Sequence, residues 1–525
     1  MEWPCIRQTA IPGTTRLFAD YLYDFNRVSA FYPSHFADPE AQIAAIRKVD
    51  YPSARRSAMV SALREQNGDS PVLARLAEPG TIAVVTGQQV GLFSGPAYTV
   101  FKALTAAKMA AHFNARGIPA VAIFWLATED HDLAEVDHTW VFNHELSPTK
   151  ISLTNAVVNG GSVGEVRIGE APLSELREAL GELPFAEDVG KRVADAYHSD
   201  ATFGSAFRYF LNEVLKDLGI LYLDPLTPAI RTIARPFLAD TAERLPELVA
   251  ALRQRDHDLV AAGYHAQVHI EDDTSLLFLI SEGKRIPIRW KDGHFVARDR
   301  SYTLAELKDR ADVLSPNALL RPVMQDYLLP TVSYVGGPSE IAYMAQSQVL
   351  YERLLGRMPV LFPRNTFTLL DGRAIKLLER YDLQVRDLLD PHEKVKSRIA
   401  ARLVPAQIAE KFAGLKSAMS SSLGKVASEL LAFDPTLEAS AKKSTAKILY
   451  QVEKLSEKAA RETMRRDQRA EKDAGYLMNL VYPQRHLQER FYSILPFLAR
   501  HGMDLPRHLL EQTQLACPDH MVRAI

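Results

Sequence analysis

The chain has 525 residues, and at roughly 150 residues per domain that allows about three or four domains with cores of their own. Hydrophobic residues make up 47% and charged residues 24%, with a formal net charge of −2; these proportions exclude a disordered chain, and the charge leaves no global basic field to recruit nucleic acid or an anionic membrane. With two cysteines, Cys5 and Cys517, at opposite ends, a disulfide framework, a cysteine-rich zinc site and a CxxC redox motif are excluded, and a reducing compartment is expected.

The opening stretch MEWPCIRQTA lacks a basic segment followed by an apolar one, so no secretory leader is expected. The longest apolar run, AVAIFWLA, is far short of the roughly 18 residues that span a bilayer. The expectation is a cytoplasmic protein with no membrane or nucleic-acid partner.

The first strand expected is TIAVVTG, Thr81 to Gly87, a β-branched apolar run ending at glycine. The second is PAVAIFWLA, Pro119 to Ala127. Between them TVFKALTAAKMAAHFNARG is rich in helix formers and closes at Gly117. Continuous apolar strands joined by a helix predict a βαβ unit in a parallel sheet, whose ligands sit beyond the carboxyl ends of the strands.

Two polar motifs fall at that edge. TGQQVGLFSGPAYT, Thr86 to Thr99, follows the first strand. Its glycines, Gly87, Gly91 and Gly95, match neither GxGxxG nor GxxxxGK[ST], so a phosphate-binding turn and a plain tight turn both remain open. Gln88 and Gln89 add neutral donor and acceptor groups suited to a nucleotide or polar substrate, and Lys102 brings a positive charge one turn into the helix.

The second motif is TEDHD, Thr128 to Asp132, within a cluster that also holds Glu135, Asp137 and His138. If a helix starts near Asp130, then His131, Glu135 and His138 share one face and present a zinc-like ligand set. A metal-free reading has Asp130 or Asp132 holding an ammonium while His131 acts as general base. An acid-rich helix start with no chemistry gives the same pattern.

Further strands are expected at GILYLDP and HAQVHI, and in LLFLISEGKRIPIRW with a turn at Glu282 to Lys284. LSPNALLRPVMQDYLLPTVSYVGGPSEIAYMAQS, Leu314 to Ser347, reads as dense in long ordered loops. In it Asn317, Arg321, Gln325 and Asp326 are candidates to face a ligand, and the Gly336-Gly337-Pro338 turn places Ser339 and Glu340 at a helix start. Arg364 and Asn365 follow the apolar run MPVLF. Arginine suits a carboxylate or phosphate because its planar fork binds bidentately; pairing with a structural aspartate is the alternative.

From about Pro391 the texture changes. Ile408, Phe412, Leu415, Met419, Leu423, Val426 and Leu430 repeat mainly at spacings of three and four, and after DPT, Ile448, Val452, Leu455 and Ala459 do the same. This predicts a helical hairpin with a coiled-coil seam, used either to dimerise or to pack on the same subunit.

Taken together and in this order, TGQQVGLFSGPAYTVFKAL, FWLATEDHDLAEVDH, LSPNALLRPVMQDYLLPTVSYVGGPSEIAYMAQ, MPVLFPRNTFTLL and YPQRHLQERFYSILPFLARHG resemble the bacillithiol-pathway cysteine ligase family, also called bacillithiol synthase. The resemblance runs from the first residues to roughly His501. It implies an α/β fold: a Rossmann-like, nucleotidylyl-transferase-type core related to class I aminoacyl-tRNA synthetases, with connecting insertions and a C-terminal α-helical coiled-coil domain that forms homodimers. The expected division is a core over 1–390, built from about 80–150 and 315–390 with insertions between, a coiled-coil hairpin over 391–475, and a segment over 476–525 packing back on the core.

The reaction implied joins the carboxyl of L-cysteine to the amine of glucosaminyl malate. A free carboxylate needs activation, so ATP is the implied co-substrate, with ADP or AMP as the spent nucleotide. The synthetase signatures are absent: the strand-to-helix turn reads FSGPAYT without histidine, no KMSKS occurs, and GRAIK, Gly372 to Lys376, does not replace it. Neither cysteine lies near the motifs, and no metal is expected.

On this basis Gln88, Gln89, Gly91, Ser94 and Gly95 are expected to line the site at the first strand. Asp130, His131 and Asp132 orient the substrate amine, with His131 accepting its proton. Asn317, Arg321, Gln325, Gly337, Glu340 and Arg364 complete the binding set, Arg321 and Arg364 facing the malate carboxylates. Two alternatives remain: a metal-dependent amidohydrolase or deacetylase built on His131, Glu135 and His138, and a non-catalytic coiled-coil scaffold.

Overall fold

The computed structural model describes residues 5–154 and 161–525; residues 1–4 of the stretch read for a leader lie outside these. Two compact units emerge. The first takes up the chain to His144, then Pro148–Thr368 and Glu489–Met521; the second holds Glu145–Ser147, Leu369–Gln488 and Val522–Ile525. Among the described residues no helix is long and apolar enough to cross a membrane.

The first unit is organised by a parallel sheet of β1 (Ile82–Gln89), β2 (Ala120–Ala127), β3 (Ile220–Leu223), β4 (Thr331–Gly336) and β5 (Val360–Pro363), in the order β5-β4-β1-β2-β3. The near-continuous burial of IAVVTG and AVAIFWL is what a strand covered on both faces requires. Helix α1 (Tyr98–Ala115) joins β1 to β2 and packs on both. It ends before Gly117, whose φ of 75° a side chain would resist. The β1 and β2 ladder is in register from Ile82↔Ala120 to Gln89↔Ala127, so both polar motifs leave the sheet at one height.

The chain moves outward from β1 through β2 to β3, then returns to the other side of β1 with β4, helix α2 (Pro338–Leu355) and β5. Strand order therefore reverses between β1 and β4, the topological switch point where crevices open in such sheets.

The expected strand GILYLDP is β3. LLFLISEGKRIPIRW forms an antiparallel hairpin of Thr274–Ser281 and Lys284–Lys291 inside a second five-stranded sheet. Its turn is where expected, with positive φ at Glu282 and Gly283. HAQVHI is not a strand. The Gln346 side chain takes the place of a neighbouring strand there, its Oε1 accepting from the N–H groups of Gln267 and Val268, both at 2.9 Å, while its Nε2 donates to the Val268 carbonyl at 2.7 Å. The region from Leu314 to Ser347 is also more regular than expected. It runs through a short strand (Leu314–Pro316), a helix begun by Arg321-Pro322, then β4 and α2. Proline at the first turn of a helix costs nothing, because that N–H has no intrahelical partner.

In the second unit the expected hairpin is present. Helix α3 (Ala406–Phe433) and helix α4 (Glu438–Arg466) pack together across a turn at Pro435–Leu437. No side chain of α3 is buried within the chain; Leu415, Val426 and Leu455 remain 45%, 56% and 57% exposed. The main segment of this unit starts at Leu369, ahead of the change in texture at 391, because helix Gly372–Arg380 packs on helix Gln468–Val481. The Tyr381 hydroxyl donates to Asp473 at 2.9 Å within that contact. The stretch 476–525 is split between the two units at Gln488 and Glu489.

Candidate active site

A cavity of about 350 Å³ opens at the switch point. Each of four core strands delivers a polar group to it at or just beyond its carboxyl end: Gln88 and Gln89 as the last residues of β1, Glu129 and Asp130 after β2, Glu340 after β4, and Arg364 after β5. Asn317 and Arg321 come from the segment before β4, Arg285 from the antiparallel hairpin, and Arg490 from the C-terminal return of the chain. The side of the floor at β1 and β2 is fixed by Gly87, where a Cβ would stand 2.7 Å from the Trp125 carbonyl oxygen. Only glycine lets the two strands approach so closely there.

Buried Lys102 and Glu340, whose side chain is 18% exposed, form the centre of one wall. The Lys102 Nζ lies 2.5 Å from Glu340 Oε2, and donates to the Gly87 carbonyl at 2.8 Å and to Gln88 Oε1 at 2.9 Å. Glu340 also accepts from the Tyr334 hydroxyl at 2.6 Å and from the Gly337 N–H at 2.8 Å. Burial works against the Glu340 charge, but Lys102 and the two other donors outweigh it and hold the carboxyl below its ordinary pKa. Burial likewise pulls the Lys102 ammonium below its ordinary value, with Glu340 opposing. The amino end of α2 is thus satisfied by its own side chain.

A cluster of arginines lies beside the Lys102–Glu340 pair, Arg364 and Arg490 approaching the same Tyr98 ring as Lys102. Arg364 is buried and paired with Glu489 at 2.6 Å. Its guanidinium lies 5.0 Å from the centre of the Tyr98 ring, which Arg490 also approaches, at 5.8 Å. Arg321 donates to the Tyr343 hydroxyl at 2.8 Å. Burial opposes its charge, yet Tyr343, Tyr334 and Glu340 hold the guanidinium above its ordinary pKa. Among the described residues no carboxylate makes an ion pair with Arg321 or Arg490.

On the β2 side, Asp130 accepts from Gln89 Nε2 at 2.6 Å and from the His131 N–H at 2.8 Å. Arg285 Nη1 lies 4.0 Å from Asp130 Oδ1 and 3.2 Å from His131 Nδ1, and its guanidinium stacks 4.0 Å from the Phe278 ring centre. Burial lowers the Arg285 pKa, opposed by Glu129 and Asp130. Glu129 is itself paired with Arg231 at 2.8 Å.

Of the residues expected from sequence, Gln88, Gln89, Asp130, Asn317, Arg321, Gly337, Glu340 and Arg364 line this cavity. Asn317 also shapes the turn before the Arg321 helix, its Oδ1 accepting from the Leu319 and Leu320 N–H groups. Gly91, Ser94 and Gly95 lie outside the lining, in a buried turn where Phe93, Ser94 and Gly95 all take positive φ. Tyr197 holds that turn from the core, accepting from the Ser94 N–H at 3.1 Å and donating to the Gly91 carbonyl at 3.2 Å. Gln325 is fully buried against Asp326. His131 and Asp132 are exposed just outside the lining.

No α-helix starts at Asp130. A short 3₁₀ turn (Leu133–Glu135) leads into a strand at His138, so the shared helical face needed by His131, Glu135 and His138 does not exist. His131 contacts Arg285, Glu135 accepts from Gln89, and His138 contacts Asp137. Among the described residues no group of three such side chains is placed to hold a metal ion. The amidohydrolase alternative loses its ligand set.

Sequence reasoning missed Tyr98, Arg285, Tyr343 and Arg490 as cavity residues, and read Lys102 only as a positive charge one turn into the helix. Tyr343 follows Glu340 by about one helical turn, a signal available from spacing. Arg285 and Arg490 arrive from distant segments that no local pattern connects.

Comparison with known proteins agrees with this architecture. Residues 1–365 match the family model described as bacillithiol biosynthesis BshC, N-terminal Rossmann-like domain, and residues 367–524 match its C-terminal coiled-coil domain. The chain is 49% identical over 525 residues, all of both chains, to a Solibacter usitatus protein named "Putative cysteine ligase BshC". Proteins of the same name from Koribacter versatilis and Salinibacter ruber are 35% and 30% identical, covering 99% and 94% of each chain. With family models covering both parts of the chain and full-length relatives at this identity, the protein belongs to the BshC family of bacillithiol biosynthesis.

Proposed function

We propose that this protein is a ligase that joins the carboxyl of L-cysteine to the amine of glucosaminyl malate, with ATP activating the carboxyl. The observation that carries the reading is the charge division of the switch-point cavity lining, in which the Asp130 carboxylate stands at the β2 edge with Arg285 beside it, and Arg321, Arg364 and Arg490 come from other segments around Tyr98 and Tyr343. A substrate with an ammonium at one end and a dianionic malate at the other matches that division. Asp130 holds the ammonium, and His131, with Nδ1 3.7 Å from Asp130 Oδ1 at the rim, takes the proton so that the neutral nitrogen can attack. Arg321 and Arg490 receive the malate carboxylates. The relatives' printed name, cysteine ligase, supports cysteine as the other substrate.

ATP supplies the driving force for an amide bond that does not form at useful rates from a free carboxylate. Its phosphates need cations; of the backbone donors near the sheet edge, the Gly337 N–H is already bonded to Glu340 and the Ser94 N–H to Tyr197. Two copies of the chain pair through α3 and α4, whose exposed Leu415, Val426 and Leu455 form a seam for a second hairpin.

The test is mass spectrometry of purified protein with L-cysteine, glucosaminyl malate and ATP, following the nucleotide in parallel. Bacillithiol with AMP identifies an adenylate route, and bacillithiol with ADP an acyl phosphate. Folded protein that makes no thiol product from authentic substrates overturns the reading. Sedimentation of the full chain, with Val426→Glu and Leu455→Glu as the seam-breaking variant, tests the dimer.

A further inference from the structure

We propose that Cys5 and Cys517 form a thiol–disulfide exchange site that takes a low-molecular-weight disulfide. These are the protein's two cysteines, at opposite ends of the sequence, yet the fold brings their sulfurs to 3.7 Å, with both thiols free. The backbone around them is held as a clasp. Ile6 and His520 pair antiparallel, each N–H donating to the other's carbonyl, at 2.7 and 2.8 Å. Gln8 Nε2 donates to the Pro518 carbonyl at 3.1 Å. The two segments therefore meet by their own hydrogen bonds, and the thiols are brought together without a covalent link.

The pair is also asymmetric, as exchange chemistry requires. Cys5 is exposed and Cys517 partly covered, and burial together with the neighbouring Cys5 pushes the Cys517 thiol up to about 11. Cys5 is thus the entering nucleophile. Its thiolate attacks one sulfur of the small disulfide, that S–S bond breaks, and one small thiolate leaves, giving a mixed disulfide on Cys5. Cys517 then loses its proton and attacks the Cys5 sulfur, expelling the second small thiolate. The two protein thiols are oxidised, the small disulfide is reduced to two thiols, and the two cysteine protons end on those products. Closing the bond needs the sulfurs about 2.0 Å apart, an approach that rotation of the exposed Cys5 side chain supplies.

The clasp is bonded to the two residues that follow Arg364, a lining residue of the switch-point cavity. Gln8 also donates to Thr366 Oγ1 at 3.2 Å, and Gln514 exchanges two hydrogen bonds with Asn365, at 2.9 and 2.7 Å. Oxidation would fasten the two segments that grip the chain immediately after Arg364. The chemistry does not depend on the ligase reading.

The experiment uses the full-length reduced protein in its folded state with oxidised glutathione as the probe, followed by alkylation, thiol titration and non-reducing peptide mapping. The expected result is a fall from two free thiols to none, no retained glutathione, and one peptide pair joined through Cys5 and Cys517, reversed by reductant. Cys517→Ser should stop at a mixed disulfide on Cys5, while Cys5→Ser should label more slowly at Cys517. Two persistent thiols in the folded wild-type protein, glutathione retained on it, or disulfides between chains would each overturn the proposal.

Discussion

The Lys102 ammonium lies 2.5 Å from the Glu340 carboxylate, and this contact ties the helix that follows β1 to the helix that follows β4. It spans the place where strand order reverses. Breaking one side of a largely buried pair leaves an uncompensated charge, so Glu340→Gln, which strands the buried Lys102, should cost about 3 kcal/mol and Lys102→Met, which leaves a partly exposed carboxylate, about 2 kcal/mol. The double variant should cost less than the sum, with a coupling of about 1 kcal/mol or more in a denaturant double-mutant cycle. Strict additivity would mean that the two charges do not stabilise each other. The Glu340 pKa is depressed in the folded state, so its contribution is present at neutral pH and lost as the pH falls through that depressed value.

Arg321 and Arg364 look alike in sequence and should behave differently. Arg364 and Glu489 are 2% and 0% exposed, so Arg364→Ala should destabilise the protein by about 3–5 kcal/mol. Arg321 has a hydroxyl partner and no carboxylate, and Arg321→Ala should fold while losing affinity for glucosaminyl malate on the order of 100-fold. Thermal melts beside steady-state kinetics separate the two. A reversal of this pattern would exchange their roles.

The proton route assigns separate losses to neighbouring residues. Asp130→Asn should raise KM for the amine substrate and lower turnover, since a neutral amide cannot hold an ammonium. His131→Ala should lower kcat by about 100-fold or more if the imidazole takes the proton. Wild-type turnover in His131→Ala would remove it from the mechanism.

His520 supplies a pH test independent of the cavity. It is fully buried, its Nε2 lies 2.8 Å from Thr368 Oγ1, and burial drives its pKa from 6.5 down to about 4. In the window between those values the unfolded chain takes up a proton that the folded chain refuses. Its stabilisation is present above pH 6.5 and lost as the pH falls toward 4, about 3 kcal/mol in all. Urea titrations across that window should show this slope, and His520→Asn should flatten it.

The βαβ unit was legible because β1 and β2 are buried on both faces and therefore read as unbroken apolar runs. The α3 and α4 hairpin was legible because its apolar residues repeat at helical spacing. Residues 265–270 misled because a glutamine side chain stands in for a strand, and no periodicity records a partner so far along the chain. At the candidate site, polar residues just after strand ends were readable from local pattern, which is how Gln89, Asp130, Glu340 and Arg364 were found. His131, Glu135 and His138 shared a face only on paper, since the backbone after Asp130 turns into a strand. Arg285, Arg490 and the meeting of Cys5 with Cys517 depend on long-range topology, which hydrophobic periodicity does not encode.

Because the Gly337 N–H is already taken by Glu340, an anion seeking that donor would have to displace a carboxylate and leave the Lys102 ammonium without its counter-charge. Under the proposed function, anion capture falls instead to the arginines that line the cavity, whose pull extends into solution but is screened by salt. Association of the charged substrates should then slow as ionic strength rises, while the Lys102–Glu340 contact, whose lysine is only 3% exposed, is screened far less.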